Sequence, residues 1–112
     1  MLQTVLIANR GEIAVRAIHT LKKLGIQSVA VYSDTDQYAQ HVQDADLSVA
    51  LEGIKPSDTY LSIEKLIAAA KKTGAQAIFP GYGFLSESAE FAKACEENGI
   101  AFMGPTPEQI LE

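Results

Sequence analysis

Tryptophan is absent from this 112-residue chain, cysteine occurs once and methionine twice. The lone Cys95 can form no internal disulfide and offers no metal-ligand spacing, so a reducing, cytoplasmic setting fits. Basic residues are also few, 9 Lys and Arg against 14 Asp and Glu, for a net charge of -5. They are scattered, and the longest basic runs are the pairs Lys22-Lys23 and Lys71-Lys72. That deficit argues against nucleic acid or an anionic membrane as partner, because neutralising phosphates takes a surplus of cations. No apolar run approaches the ~18 residues that mark a membrane-spanning helix. Arg10 interrupts the N-terminal apolar stretch too early for a signal peptide. No Walker loop, Ser-His-Asp arrangement or His-Glu-x-x-His is visible, so the chain carries no self-contained catalytic apparatus. What remains is an ordinary globular composition, 47% hydrophobic, at a length that allows one domain.

The apolar residues alternate between two periods. Thr4–Ala8 is a short continuous apolar run, as expected for a strand covered on both faces, and Ser28–Tyr32, Leu47–Leu51, Ala77–Phe79 and Ala101–Met103 read as four further strands. Between them lie helical patterns. Ile13, Ala14, Ala17, Ile18, Leu21 and Leu24 share one face of a helix over 11–24. Ile63, Leu66, Ile67 and Ala70 make a stripe on a helix over 62–73, and Phe91, Ala94 and Cys95 do so over 86–98. A weaker helix is expected around 38–45, and Thr106, Pro107 and Gln109 form a capping box that opens a last one. Three helices end alike, on a charged pair, one residue and a glycine: Lys22-Lys23-Leu24-Gly25, Lys71-Lys72-Thr73-Gly74 and Glu96-Glu97-Asn98-Gly99. Each glycine suits the left-handed position that stops a helix. Strand-helix alternation with such stops predicts right-handed crossovers and a three-layer, Rossmann-like α/β domain with a parallel sheet of about five strands.

In such sheets ligands collect beyond the carboxyl ends of the strands, which singles out three loops. Ala8-Asn9-Arg10-Gly11-Glu12 follows the first strand. A dinucleotide site would need Gly-x-Gly-x-x-Gly here, but the loop has one glycine and an acid that would repel phosphate. Glu12 and Arg16 stand at i and i+4, a pair worth a few tenths of a kcal/mol. Asn9 and Arg10 either serve this local structure or fix the loop against another domain. The second loop, 80–88, interleaves Tyr82 and Phe84 with Gly81 and Gly83, whose lack of a β-carbon permits unusual backbone geometry. It is either a tight turn with its aromatics folded inward or a flat surface on which a small planar ligand lies against Tyr82. Ser86 is the expected cap of the helix that follows. The third loop, Gly104–Pro107, reads as structural. His19, His41 and Cys95 read as surface or packed residues, and Asp34 and Asp36 as turn formers.

The first two loops resemble a known family. Val5-Leu6-Ile7-Ala8-Asn9-Arg10-Gly11-Glu12-Ile13-Ala14 and Phe79-Pro80-Gly81-Tyr82-Gly83-Phe84-Leu85-Ser86-Glu87 look like the N-terminal, pre-ATP-grasp domain of biotin carboxylase. Val29–Ser33, His41-Val42 with Ala45-Asp46, Asp58–Leu61 and Phe102–Pro105 agree, so the likeness covers residues 1–112. It implies a parent ligase that uses ATP, Mg and bicarbonate to carboxylate biotin on a carrier domain. It implies also that the ATP-grasp and C-terminal domains lie downstream of Glu112, leaving this chain inactive alone. Carried over, the glycine-rich loop nominates Tyr82, Gly83 and Phe84 as biotin-proximal. Asn9, Arg10 and Glu87 become candidates for the domain interface. The chain departs from the family in having Phe79 for a usual His, Ser88 for Asn and Leu47 for Glu. The first departure puts a proton or hydrogen-bond role at that position in doubt. Family members are often oligomeric, but His19 and Lys23 on the first helix do not reproduce the charged dimer contact of some bacterial members. Within the family, the stretch before Tyr60 and residues 104–110 lean toward urea carboxylase. The rival expectation is a stand-alone Rossmann-type nucleotide-binding or regulatory interaction domain, which would need a phosphate cradle after the first strand.

Overall fold

The computed structural model describes residues 2–103. Five parallel strands, β1 (Thr4–Ile7), β2 (Gln27–Tyr32), β3 (Leu47–Ala50), β4 (Ala77–Phe79) and β5 (Ala101–Phe102), form one sheet in the order β3-β2-β1-β4-β5. β1 is central, with Leu6 opposite Val29 of β2 on one side and Ile78 of β4 on the other. Four helices connect and cover the sheet: α1 (Gly11–Lys23), α2 (Gln40–Asp44), α3 (Ile63–Thr73) and α4 (Ala89–Glu97).

Strand alternation sorts the core into two layers. Val5, Ile7, Ala77 and Phe79 pack against Ala14, Ala17, Ile18 and Leu21 of α1. Leu6, Val29, Val31 and Ile78 face the other way, against Leu66 and Ala70 of α3 and Phe91 and Cys95 of α4. All of these residues are at most 2% exposed. Both faces of β1, β2 and β4 are thus covered, which is why they read as continuous apolar runs, whereas the edge strands β3 and β5 stay largely exposed. The stop glycines behave as their repetition predicts: Gly25, Gly74 and Gly99 have φ of 74°, 75° and 70°, a left-handed backbone that disfavours a β-carbon.

Three local expectations are corrected. Ser88 rather than Ser86 caps α4, its hydroxyl accepting from the Phe91 amide at 3.1 Å. Residues 83–88 turn instead through the Ser86 amide bonded to the Gly83 carbonyl and the Ser88 amide bonded to Leu85. Asp36, in a 3-10 turn over Asp34–Asp36, is buried at 6% exposure and is no ordinary turn former. Glu12 and Arg16 form no ion pair, whereas Arg10 and Asp36 do. The capping box at Thr106, Pro107 and Gln109, and the loop that precedes it, lie outside the described residues.

The strand order reverses between β1 and β4. The chain moves from β1 outward to β2 and β3, then crosses back to β4 and on to β5. The loops after β1 and β4 therefore lead to helices on opposite faces of the sheet, at the switch point where ligands usually sit in this architecture. These are the two loops that the sequence singles out.

Candidate functional site

Asn9 ties the two loops together. It is 2% exposed. Its Nδ2 donates to the carbonyls of Pro80 at 2.8 Å and Tyr82 at 2.7 Å, and its Oδ1 accepts from the Arg10 amide at 2.8 Å. The amide orientation is dictated chemically, since a reversed group would set its oxygen against two carbonyl oxygens. Between those carbonyls Gly81 comes so close to α1 that a β-carbon would stand 2.7 Å from Ile13 Cγ2 and 3.1 Å from Asn9 Nδ2. Its φ of 67° adds a second reason for glycine. The second loop is thus pressed onto the first turn of α1 and held there from beneath.

A second link runs through side chains. The Arg10 guanidinium grips Asp36 with two bonds, Nε to Oδ2 at 2.6 Å and Nη2 to Oδ1 at 2.7 Å. The Tyr60 hydroxyl donates to the same Oδ2 at 2.6 Å and accepts from the Ser33 amide at 3.2 Å. Phe84 stacks on the Tyr60 ring with centroids 5.2 Å apart and planes 26° from parallel. The Arg10 bonds outweigh burial and hold the Asp36 carboxyl down at about 2. Burial, followed by the bond to Asp36, pushes the Tyr60 phenol up to about 12. Asp36 is therefore a fixed anion and Tyr60 a fixed neutral donor at ordinary pH, suited to holding shape rather than to moving protons.

The surface above these struts is open. Tyr82 is 61% exposed, and nothing stands within 4 Å of where a β-carbon on Gly83 would project. Beside them is a shallow cavity of about 450 Å³ bordered by Pro80, Tyr82, Ser86, Glu87 and Met103, within the ordinary range for small-molecule sites. The aromatic alternatives divide: Phe84 leans on Tyr60, while Tyr82 stays in solvent. Of the interface candidates, Glu87 is exposed and the Arg10 side chain is half exposed. Asn9 is internal, and its contacts are with the second loop of this same chain.

Asp36 and Tyr60 are the site residues that sequence reasoning missed. An acid in a polar loop has the composition of a turn, and its partners are 26 and 24 residues away. The one usable signal was an amphipathic tyrosine beside a loop, which when buried needs a partner for its hydroxyl. The histidines stay outside the site. His41 is 1% exposed and its Nε2 donates to the Val31 carbonyl at 3.0 Å, which leaves Nδ1 without a partner. Burial pushes its pKa down, keeping it neutral. His19 meets Asp44 at 3.0 Å on the surface. Among the described residues no group of three or more His, Cys, Asp or Glu could hold a metal ion.

The chain is thus a doubly wound α/β domain whose switch-point loops are locked to each other and present an aromatic surface. Residues 1–110 match the family described as "Biotin carboxylase, N-terminal domain", and the chain belongs to it. It is 69% identical over 108 residues to a urea amidolyase of Lachancea kluyveri, covering 96% of this chain and 6% of that protein. It is 54% identical over 108 residues to the α subunit of mitochondrial methylcrotonoyl-CoA carboxylase of Mus musculus, covering 96% of this chain and 15% of that protein. The crystal structure of Kluyveromyces lactis urea carboxylase superposes with a TM-score of 0.91 at 64% identity, over 98% of this chain and 10% of that one. The chain therefore spans only a small part of the relatives it matches.

Proposed function

We propose that this domain forms one wall of a biotin carboxylase active site, contributing shape beside the biotin ring while phosphate chemistry takes place on other domains. The observation that carries the proposal is the exposed Tyr82 ring on a loop that Asn9 pins at the switch point. A flat ureido ring fits a surface made of an aromatic face and the bare backbone of Gly83, next to a cavity of suitable size. Tyr82 and Gly83 would face the ring, and Phe84 would hold the loop's far end through Tyr60.

Nucleotide fits this chain poorly. The loop after β1 lacks the glycines of a phosphate cradle, and Glu12 occupies the first turn of α1, where a bound phosphate would sit. ATP, Mg and bicarbonate are thus assigned to an ATP-grasp domain of the same enzyme, and biotin to a carrier domain that brings it to Tyr82. When bound, ATP supplies the activation that joins bicarbonate to biotin. Arg10 and Glu87, both exposed at this edge, are the proposed contacts with the ATP-grasp domain. The parent is read as a urea carboxylase, a reading supported by the higher identity to a urea amidolyase than to a CoA carboxylase. A reducing compartment is supported by the lone, buried Cys95. Among the described residues no helix is long and apolar enough to cross a membrane.

The test is Tyr82→Ala in the full-length carboxylase, scored by carboxylation of biotin and by thermal unfolding. Loss of carboxylation with an unchanged unfolding midpoint supports the wall. Equal loss of both would make Tyr82 a packing residue.

A further inference from the structure

Asn9 lies beneath the proposed biotin surface and is buried, with its carboxamide bonded to Pro80, Tyr82 and Arg10. We infer that it is a positioning residue: its carboxamide sets the aim of the Tyr82 ring by holding the carbonyls on both sides of Gly81. The inference rests on the reading of Tyr82 as the ligand-facing group and adds the residue that governs it.

Three observations converge. Both hydrogens of one amide nitrogen go to the loop, to Pro80 and Tyr82. Tyr82 belongs to the very peptide unit whose oxygen Asn9 holds, so a shift of that carbonyl swings its side chain. And the loop has little internal support at that point. Gly81 and Gly83 flank Tyr82 with φ of 67° and 72°, while Phe84, at φ 43°, is anchored separately on Tyr60. Two glycines give the segment wide conformational freedom, and Asn9 removes it where the ring must be aimed. The Oδ1 bond to the Arg10 amide in turn fixes the Asn9 carboxamide, so that both its nitrogen and its oxygen are engaged.

Only a donor of this geometry serves. Asn9→Asp keeps the shape but turns two donated bonds into a carboxylate facing two carbonyl oxygens. The loop should then swing away and Tyr82 lose its aim, with the rest of the fold intact. Protonation would restore one donor, so the defect should shrink as pH falls. The neighbouring Arg10 guanidinium is committed to Asp36, so burial is left to raise the new carboxyl's pKa, which brings that recovery into a measurable range.

The experiment measures KM and kcat for free biotin in the full-length carboxylase with Asn9→Asp, Tyr82→Ala and both changes. Asn9→Asp is expected to raise KM about tenfold with kcat within about twofold. The rise should be smaller at pH 6 than at pH 8, and absent when Tyr82 is already alanine, because residues that act through one another are not additive. A lowered yield of active enzyme with unchanged KM, or a KM effect that persists in the Tyr82→Ala background, overturns the inference. If Tyr82→Ala itself leaves KM unaltered, it is the wall reading that fails. Should Asn9→Asp not fold, Asn9→Ala, which removes both donated bonds without adding a charge, carries the same comparison: a KM rise that is absent in the Tyr82→Ala background supports the inference, and one that persists there overturns it.

Discussion

Phe84 stacks on Tyr60 although its own backbone is left-handed, with φ 43°. A bulky residue in that region costs of order 1–3 kcal/mol and persists only where its surroundings hold it. Here Tyr60 holds it with its ring, and is itself fixed by its hydroxyl on Asp36.

Tyr60→Phe keeps the stack and removes the donor to Asp36, so it is expected to cost about 1–2 kcal/mol. Asp36→Asn loses the charge that Arg10 grips and is expected to cost about 2 kcal/mol or slightly more, below the range for a fully buried pair because Arg10 is half exposed. Urea unfolding of the chain reads both. A cost below about 0.5 kcal/mol for Asp36→Asn would show that the network is decorative.

The same carboxylate predicts an acid limb. Its folded pKa of about 2 lies below the ordinary 3.8, so the unfolded chain binds the proton first. The stabilisation is complete above about pH 4 and is lost as pH falls toward 2, an effect of about 1–2 kcal/mol after allowance for solvent at Arg10. His41 acts in the same direction at higher pH, because burial lowers its pKa below 6.5 and protonation would charge a buried ring whose Nδ1 has no partner. Unfolding free energy measured from pH 7 to pH 2 should fall in two stages. In Asp36→Asn the lower stage should shrink, leaving what Asp44, also held down by its bond from Gln40, contributes.

Gly81→Ala and Gly83→Ala separate crowding from backbone strain. Both positions have left-handed φ, but only at Gly81 would the new carbon meet a side chain, Ile13. Gly83→Ala should cost about 1 kcal/mol and Gly81→Ala about 3 kcal/mol. Equal midpoint shifts in thermal unfolding would contradict the close approach seen at Gly81.

Cys95 should be inert in the folded chain. It is 0% exposed, and burial pushes its thiol up to about 11. Labelling by an aromatic disulfide at pH 8 should follow global opening of the fold and accelerate in step with urea. Fast labelling without denaturant would mean that α4 opens locally.

ATP titrated into this chain alone should show no micromolar binding by calorimetry. A Kd of 1 μM corresponds to about 8 kcal/mol, and the loop after β1 has one glycine and one cation, Arg10, which is already gripped by Asp36. Micromolar binding would move the nucleotide onto this domain.

Much of this architecture was legible because period and punctuation agree. β4 is found at Ala77–Phe79 as expected, and the glycine stops end three helices where the repeat puts them. The two site loops were legible for the same reason, as breaks after apolar runs. The wiring between them was not. For Asn9 the sequence leaves a local role and a contact with another domain both open, because spacing along a chain does not show which carbonyls a folded loop will offer. Asp36 looked like a turn former because composition does not distinguish a solvated acid from one gripped by an arginine in a distant loop. The start of α4 was misplaced because Ser86 and Ser88 are equally good caps, and it is the turn at residues 83–88 that decides between them.

Joining Asn9 to Pro80 spans 71 residues, and this governs the order of events on the ribosome. β1 and β2 can pair early, but Asn9 has no loop to hold until residues 80–82 have left the exit tunnel. Until then the apolar β1 has one unsatisfied edge, a hazard for nascent chains. The ligand-facing surface is accordingly formed after most of the sheet, and a translation product stalled at Phe79 would have β1 to β4 but no site.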